Sequence, residues 1–165
     1  MKPLMTHVLR DHVLFGGIVA GLLLPKFGFW NSAVFWASTV LIDTDHYFRF
    51  LYLTRLRTLD VRKMQRFFER AFPLRNHPDF LTVELFHTIE FMSLFGVCSA
   101  VFFPMMLPVW WGFLFHIGVD FIHLFRHRAF TKRCHSFVEY WWRKKKIILR
   151  GGSPDLLFEN ILKSS

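Results

Sequence analysis

The chain has 165 residues, 53% hydrophobic and 19% aromatic with 22 Phe and 6 Trp, and a mean hydropathy of +0.29. One soluble domain of that length has too little interior to hide so much aromatic surface, so the composition points to a membrane protein. The net charge of +9 and pI of about 10.1 then read as topogenic charge and contact with anionic lipid, ahead of nucleic-acid binding. Two cysteines, Cys98 and Cys134, argue against a disulfide framework and supply no CxxC metal site.

The N-terminal MKPLMTHVLRDH leads into an apolar run. His12 opens that run and Pro25-Lys26 closes it without a small-residue cleavage site, so the expectation is a retained segment and not a signal peptide. Four hydrophobic segments follow, at about 12–25, 29–48, 80–103 and 106–126. All are expected to be helices, because open strands leave backbone groups unsatisfied in lipid. The first is short against the ~17–25 residues of an ordinary span. PKFGFWN parts the first pair and FFPMMLP the second, so each pair is expected to form an antiparallel hairpin.

Segments 2 and 3 are joined by a basic stretch, 49–78, in which Leu56, Leu59, Met64, Phe67, Phe68 and Phe72 are interleaved with eight Lys or Arg. That pattern suits an amphipathic interfacial helix. A second basic stretch, 126–150, carries nine cations and places Trp141-Trp142 before Arg143-Lys144-Lys145-Lys146, as membrane–water interfaces select. Ser153 and Pro154 predict the cap and first residue of one more helix. The two short connections hold only Lys26 between them. The fold expected is therefore an all-α integral membrane bundle, 1–165 as a single membrane domain. It has about four transmembrane helices plus interfacial amphipathic helices, with both termini cytoplasmic.

Ionisable residues then fall at one depth. His12 starts segment 1, and Asp43, Asp45 and His46 end segment 2. Glu84, His87 and Glu90 occupy the cytoplasmic half of segment 3, and His116, Asp120 and His123 that of segment 4. The far half of the bundle has essentially none. Such residues are costly in a bilayer and usually functional. His116, Asp120, His123 and His127 are spaced four, three and four apart and form one helical stripe. Glu84, His87 and Glu90 share a face by spacing, as do Asp43 and His46. Carboxylates and imidazoles at i,i+3 and i,i+4 in a bundle core are how helical proteins hold metals, and this donor mix suits zinc, manganese or iron.

The order HVLFGG, IDTDH, FHT, HIGVD resembles the YdjM-like inner-membrane metal-dependent hydrolase family, also called DUF457. That family has an early H-x-L-F-like segment, a D-x-D-H after an apolar run, an H-R-G-x-T-H-S-like segment and a late H-x-x-x-D. The matching positions are His12, Asp43, Asp45, His46, His87, His116 and Asp120, spanning residues 12 to 120. One departure is clear: the family's first histidine of the third segment falls on Thr82, where Glu84 or Glu90 could supply a ligand instead. The resemblance implies a bacterial inner (cytoplasmic) membrane. More distantly the pattern is similar to the zinc-dependent phospholipase C and S1/P1 nuclease group.

The function expected is a membrane-embedded metal-dependent hydrolase of a phosphoester, with a lipid-linked substrate reached from the cytoplasmic leaflet. The metal ligands expected are His12, Asp45, His46, His87, His116 and Asp120, holding about one to three ions, zinc first. Asp43 is either a bridging ligand or a partner that orients one. Glu90 or Glu84 would act as general base or further ligand, and His123 would orient Asp120 or protonate a leaving oxygen. The alternative is a non-enzymatic membrane protein that carries protons or metal ions, or a metal-regulated membrane adaptor.

Overall fold

The structure, a computed structural model, describes residues 4–126 and 133–163. They are predominantly helical and contain no strand, only an isolated bridge between Val83 and Cys134. The helices are α1 (Leu4–Leu41), α2 (Thr44–Leu53), α3 (Val61–Ala71), α4 (Ile89–Val101), α5 (Leu107–Arg126), α6 (Phe137–Leu149) and α7 (Pro154–Lys163). The sequence reading treats the chain as one domain. The structure divides it into two compact units, Met1–Thr44 with Ile89–Phe130, and Asp45–Thr88 with Thr131–Ser165, so far as these residues are described.

In the first unit, α1 is broken at Gly28, whose φ of 75° and ψ of 167° only glycine adopts readily. The two arms fold back on each other: Trp36 Nε1 donates to the Val13 carbonyl at 3.0 Å. Gly16 faces Thr39 so closely that a Cβ there would lie 2.6 Å from Thr39 Oγ1. The hairpin expected at PKFGFWN is therefore present. The second arm also packs on α5, where a Cβ on Gly112 would meet the Phe35 carbonyl oxygen at 2.5 Å and Phe35 and Phe115 rings lie 5.8 Å apart. α4 meets α5 through Trp110, whose Nε1 donates to the Met92 carbonyl at 3.0 Å.

Two helical stretches, Arg10–Leu53 and Pro104–Arg126, are long and apolar enough to cross a membrane. Much of their surface points outward: Leu22, Trp30, Met105 and Phe125 are all exposed.

Segment boundaries differ from the sequence reading in two places. Segment 2 is not one helix over 29–48: the chain turns at Ile42–Asp43, Thr44 Oγ1 donates to the Leu41 carbonyl at 2.7 Å, and α2 begins. Asp and Thr compete with the helical backbone for its own hydrogen bonds, which is what ends helices at such positions. Segment 3 is not helical over 80–88, where a short 3-10 turn, Leu85–His87, precedes α4. Side-chain and backbone partners from elsewhere in the second unit take up that stretch. The Cys134 N–H donates to the Thr82 carbonyl at 2.9 Å and the Phe86 N–H to Asp45 Oδ2 at 3.1 Å.

The second unit has its own core. Phe50, Phe67, Ala71, Phe158 and Ile161 are buried together, with Met64 and Phe68 packed against them. So the apolar face of α3, expected to lie in a membrane interface, packs in part into protein. Asp60 caps α3, accepting from the Arg62 N–H at 2.8 Å. Ser153 Oγ caps α7 by accepting from the Leu156 N–H at 3.3 Å, with Pro154 as first residue, as the sequence predicts.

Candidate metal centre

In the first unit α1 delivers His12 and α5 delivers His116 and Asp120, four residues apart on one stripe. Both imidazoles are fully buried. They stack, with ring centroids 3.8 Å apart and planes inclined by 14°. Asp120 addresses both: Oδ1 lies 3.2 Å from His12 Nε2 and Oδ2 lies 3.7 Å from His116 Nε2. His116 Nδ1 donates to the Thr39 carbonyl at 2.7 Å. That bond fixes the ring and its tautomer, turning Nε2 toward two carboxylates, Asp120 and Asp43, the latter 3.4 Å away. A lone pair does not face two carboxylates without a positive charge between them, either a proton on the ring or a cation.

His12, His116 and Asp120 bring one ligating atom each to within 4.8 Å of one another, so this buried group could hold a metal ion. The donor set is that of a divalent first-row cation. His116 has the second hydrogen bond that metal-ligating histidines usually carry. His12 does not: its Nδ1 is buried with no partner among the described residues. Beside the cluster, Asp11 Oδ2 lies 3.5 Å from His123 Nε2, and the His123 ring is 6.4 Å from that of His12. Glu90 sits half-buried in the first turn of α4, and its spacing with Glu84 and His87 does not make a helical face. His127 lies outside the described residues.

The D-x-D-H motif straddles the boundary between the units. Asp43 occupies the turn after α1, whereas Asp45 and His46 belong to the first turn of α2 in the second unit. Asp45 is buried; its Oδ2 accepts from the Phe86 N–H and lies 2.9 Å from His87 Nδ1, while its Oδ1 is buried without a partner among the described residues. That is how a carboxylate orients an imidazole. Burial holds the His87 pKa below its ordinary value against the raising effect of the Asp45 hydrogen bond.

Glu84 lies deep in the second unit. Its Oε2 meets Arg133 Nε at 2.6 Å, and its Oε1 meets Arg49 Nη1 at 3.4 Å and His46 Nδ1 at 3.7 Å. Burial alone would raise its pKa. Arg133, His46, Arg49 and His87 together outweigh that and bring it down to about 2. An acid held that firmly ionised by two guanidiniums is a poor general base.

Three contributors escaped the sequence reading: the Thr39 carbonyl, Asp11 and Arg133. Asp11 stands next to His12 in the sequence and is the one that the motif itself could have suggested. Compared with protein-family models, with curated proteins and with solved structures, the chain matches none.

Proposed function

We propose that the chain is a membrane-embedded metal-dependent hydrolase acting on a phosphoester, a lipid-linked one by preference, similar to the YdjM-like family. The observation that carries this reading is the convergence of His12, His116 and Asp120, with His116 anchored on the Thr39 carbonyl. Four spans with both termini and the site on the cytoplasmic side of a bacterial inner membrane remain the preferred arrangement, because the cations cluster on 49–75 and 126–150 and are nearly absent from the short connections. Gly28 lies sixteen positions after His12, which at ~1.5 Å per residue is ~24 Å of helix, about four-fifths of the ~30 Å hydrocarbon thickness.

A divalent cation, zinc first, would polarise a phosphoryl oxygen and acidify a water bound to it. His12, His116 and Asp120 would hold it, and Asp43 is the fourth donor within the same unit. The chain's own residues do the rest. The Thr39 carbonyl keeps the His116 lone pair aimed inward. His123, 3.5 Å from Asp11, would pass a proton to a leaving oxygen. In the second unit Asp45 orients His87, so its role is better taken as a positioning residue than as a ligand. Glu84 serves as counter-ion to Arg49 and Arg133 and drops out as a base.

A proton or metal carrier needs polar residues beyond the site. The open groove between the arms of α1, of about 390 Å³, is lined by Gly17, Ala20, Gly21, Leu24, Phe29, Ser32, Ala33 and Trp36. Ser32 is its single polar side chain among those residues, which argues against a polar path along this hairpin.

Elemental analysis of detergent-purified protein tests the proposal. Wild type should carry tightly held zinc or manganese, and His116→Ala/Asp120→Ala should lose it while keeping its helical circular dichroism. A wild type that stays metal-free after loading would refute the hydrolase mechanism and favour the adaptor reading.

A further inference from the structure

α6 buries one side and exposes the other. Ile147 is buried in the second unit's core beside Leu81 and Cys134, with Tyr140 packed near it. On the opposite side Val138, Trp141, Trp142, Lys145, Ile148 and Leu149 are all exposed. At ~100° per residue these six fall on one half of the helix circumference.

The character of that face is specific. Trp141 is 75% exposed and Trp142 59% exposed. Two outward tryptophans are not what a solvated helix face selects; the indole, apolar with one donor, belongs where hydrocarbon meets water. The cations on the helix divide into two sets. Arg143 pairs with Glu139 at 3.2 Å and Lys144 with Asp155 at 2.9 Å. Lys145 and Lys146 make no ion pair among the described residues, and the Lys146 ammonium sits 3.8 Å over the Trp142 ring. Ser136 caps the helix by accepting from the Val138 N–H at 3.1 Å, so the stripe is held in register from its first turn.

We propose that this face of α6 docks on an anionic lipid surface. The indoles, Val138 and Leu149 enter the headgroup–acyl boundary, and Lys145 and Lys146 meet lipid phosphates. Charge complementarity selects this occupant: a second copy of the chain would set lysines against lysines across the same face. The chain's excess of nine positive charges favours the same partner. The proposal rests on the membrane reading only in bringing α6 near a bilayer.

The test uses the full chain with Cys98→Ser, a polarity-sensitive fluorophore on Val138→Cys, and Cys134 left in place because it is buried. The chain is reconstituted in nanodiscs of phosphatidylcholine, alone or with phosphatidylglycerol, and quenching by lipid-borne nitroxide is read. In anionic discs the probe should be blue-shifted and quenched. At ~1 kcal/mol per lysine, Lys145→Gln/Lys146→Gln should weaken docking about thirtyfold, and Trp141→Ala/Trp142→Ala should weaken it too. A water-exposed, unquenched probe in anionic discs overturns the proposal. So does shielding in detergent that grows with protein concentration, which would assign the face to a second copy. A chain that does not enter nanodiscs refutes the membrane reading instead. The same labelled protein is then mixed with free vesicles of the same lipids, so the two failures separate.

Discussion

Replacing Glu84 by glutamine keeps the shape of the side chain and removes a negative charge that meets Arg133 Nε at 2.6 Å and Arg49 Nη1 at 3.4 Å. Both guanidiniums are largely shielded and each loses its Glu84 partner, with Asp45 still acting on Arg49. Breaking a buried pair from one side costs about 3–5 kcal/mol. The acid itself gives a consistent figure: a pKa lowered from 4.5 to about 2, at ~1.36 kcal/mol per unit, amounts to about 3 kcal/mol. The readout is Cys134, which is fully buried in the same unit and whose thiol burial pushes up to about 11. In a Cys98→Ser background, alkylation of Cys134 follows the population of opened second unit. Three kcal/mol should raise the rate roughly a hundredfold in Glu84→Gln. The pH dependence has a definite sign. The folded pKa is depressed, so the stabilisation is complete above 4.5 and is lost as pH falls from there through about 2. A Glu84→Gln protein that alkylates at the wild-type rate, or a wild type whose Cys134 protection relative to the unfolded chain at the same pH is equal at pH 2 and pH 5, would refute the reasoning.

Two further expectations concern packing. Gly112→Ala would set a Cβ 2.5 Å from the Phe35 carbonyl oxygen and 2.7 Å from Ser38 Cβ, and backbone cannot step aside cheaply. Thermal unfolding in detergent should show a loss of about 1–3 kcal/mol. Because Phe35 and Ser38 share the arm that presents the Thr39 carbonyl, metal retention by elemental analysis should fall in parallel. Phe67→Ala empties the centre of the second unit, where the ring is fully buried between Phe50 and Phe158. A loss of about 3–5 kcal/mol is expected, read as faster Cys134 alkylation, while metal held by His12, His116 and Asp120 should be retained.

The helical hairpin at Gly28, the stripe His116–Asp120–His123, the Ser153 cap and the amphipathic α3 are all legible in the sequence, because each depends on spacing within a few residues. The stripe also identifies its partner in part: an apolar run opening with His12 needs another polar group, and Asp120 is where that group lies. The 80–88 stretch is different. By composition it continues α4, yet its backbone and carboxylate are claimed by Asp45, Arg133 and Cys134, which are distant in the sequence. Local pattern cannot register such competitors.

The sequence by itself determined that the protein is helical, carries long apolar helices, and sets histidines and carboxylates such as His116 and Asp120 on one stripe of such a helix. Periodicity and the cost of burying charge suffice for that. The tertiary structure alone decided which of these groups meet. Asp43 and Asp45, two residues apart, go to different units because Asp43 lies in the turn after α1 and Asp45 in the first turn of α2, and Asp45 turns to His87 while Asp43 turns to His116. It also decided that His116 hangs from the Thr39 carbonyl, a group every residue possesses and no sequence can single out. Hydrogen bonds to backbone are made by position and not by residue type, so they exist only once the chain has folded.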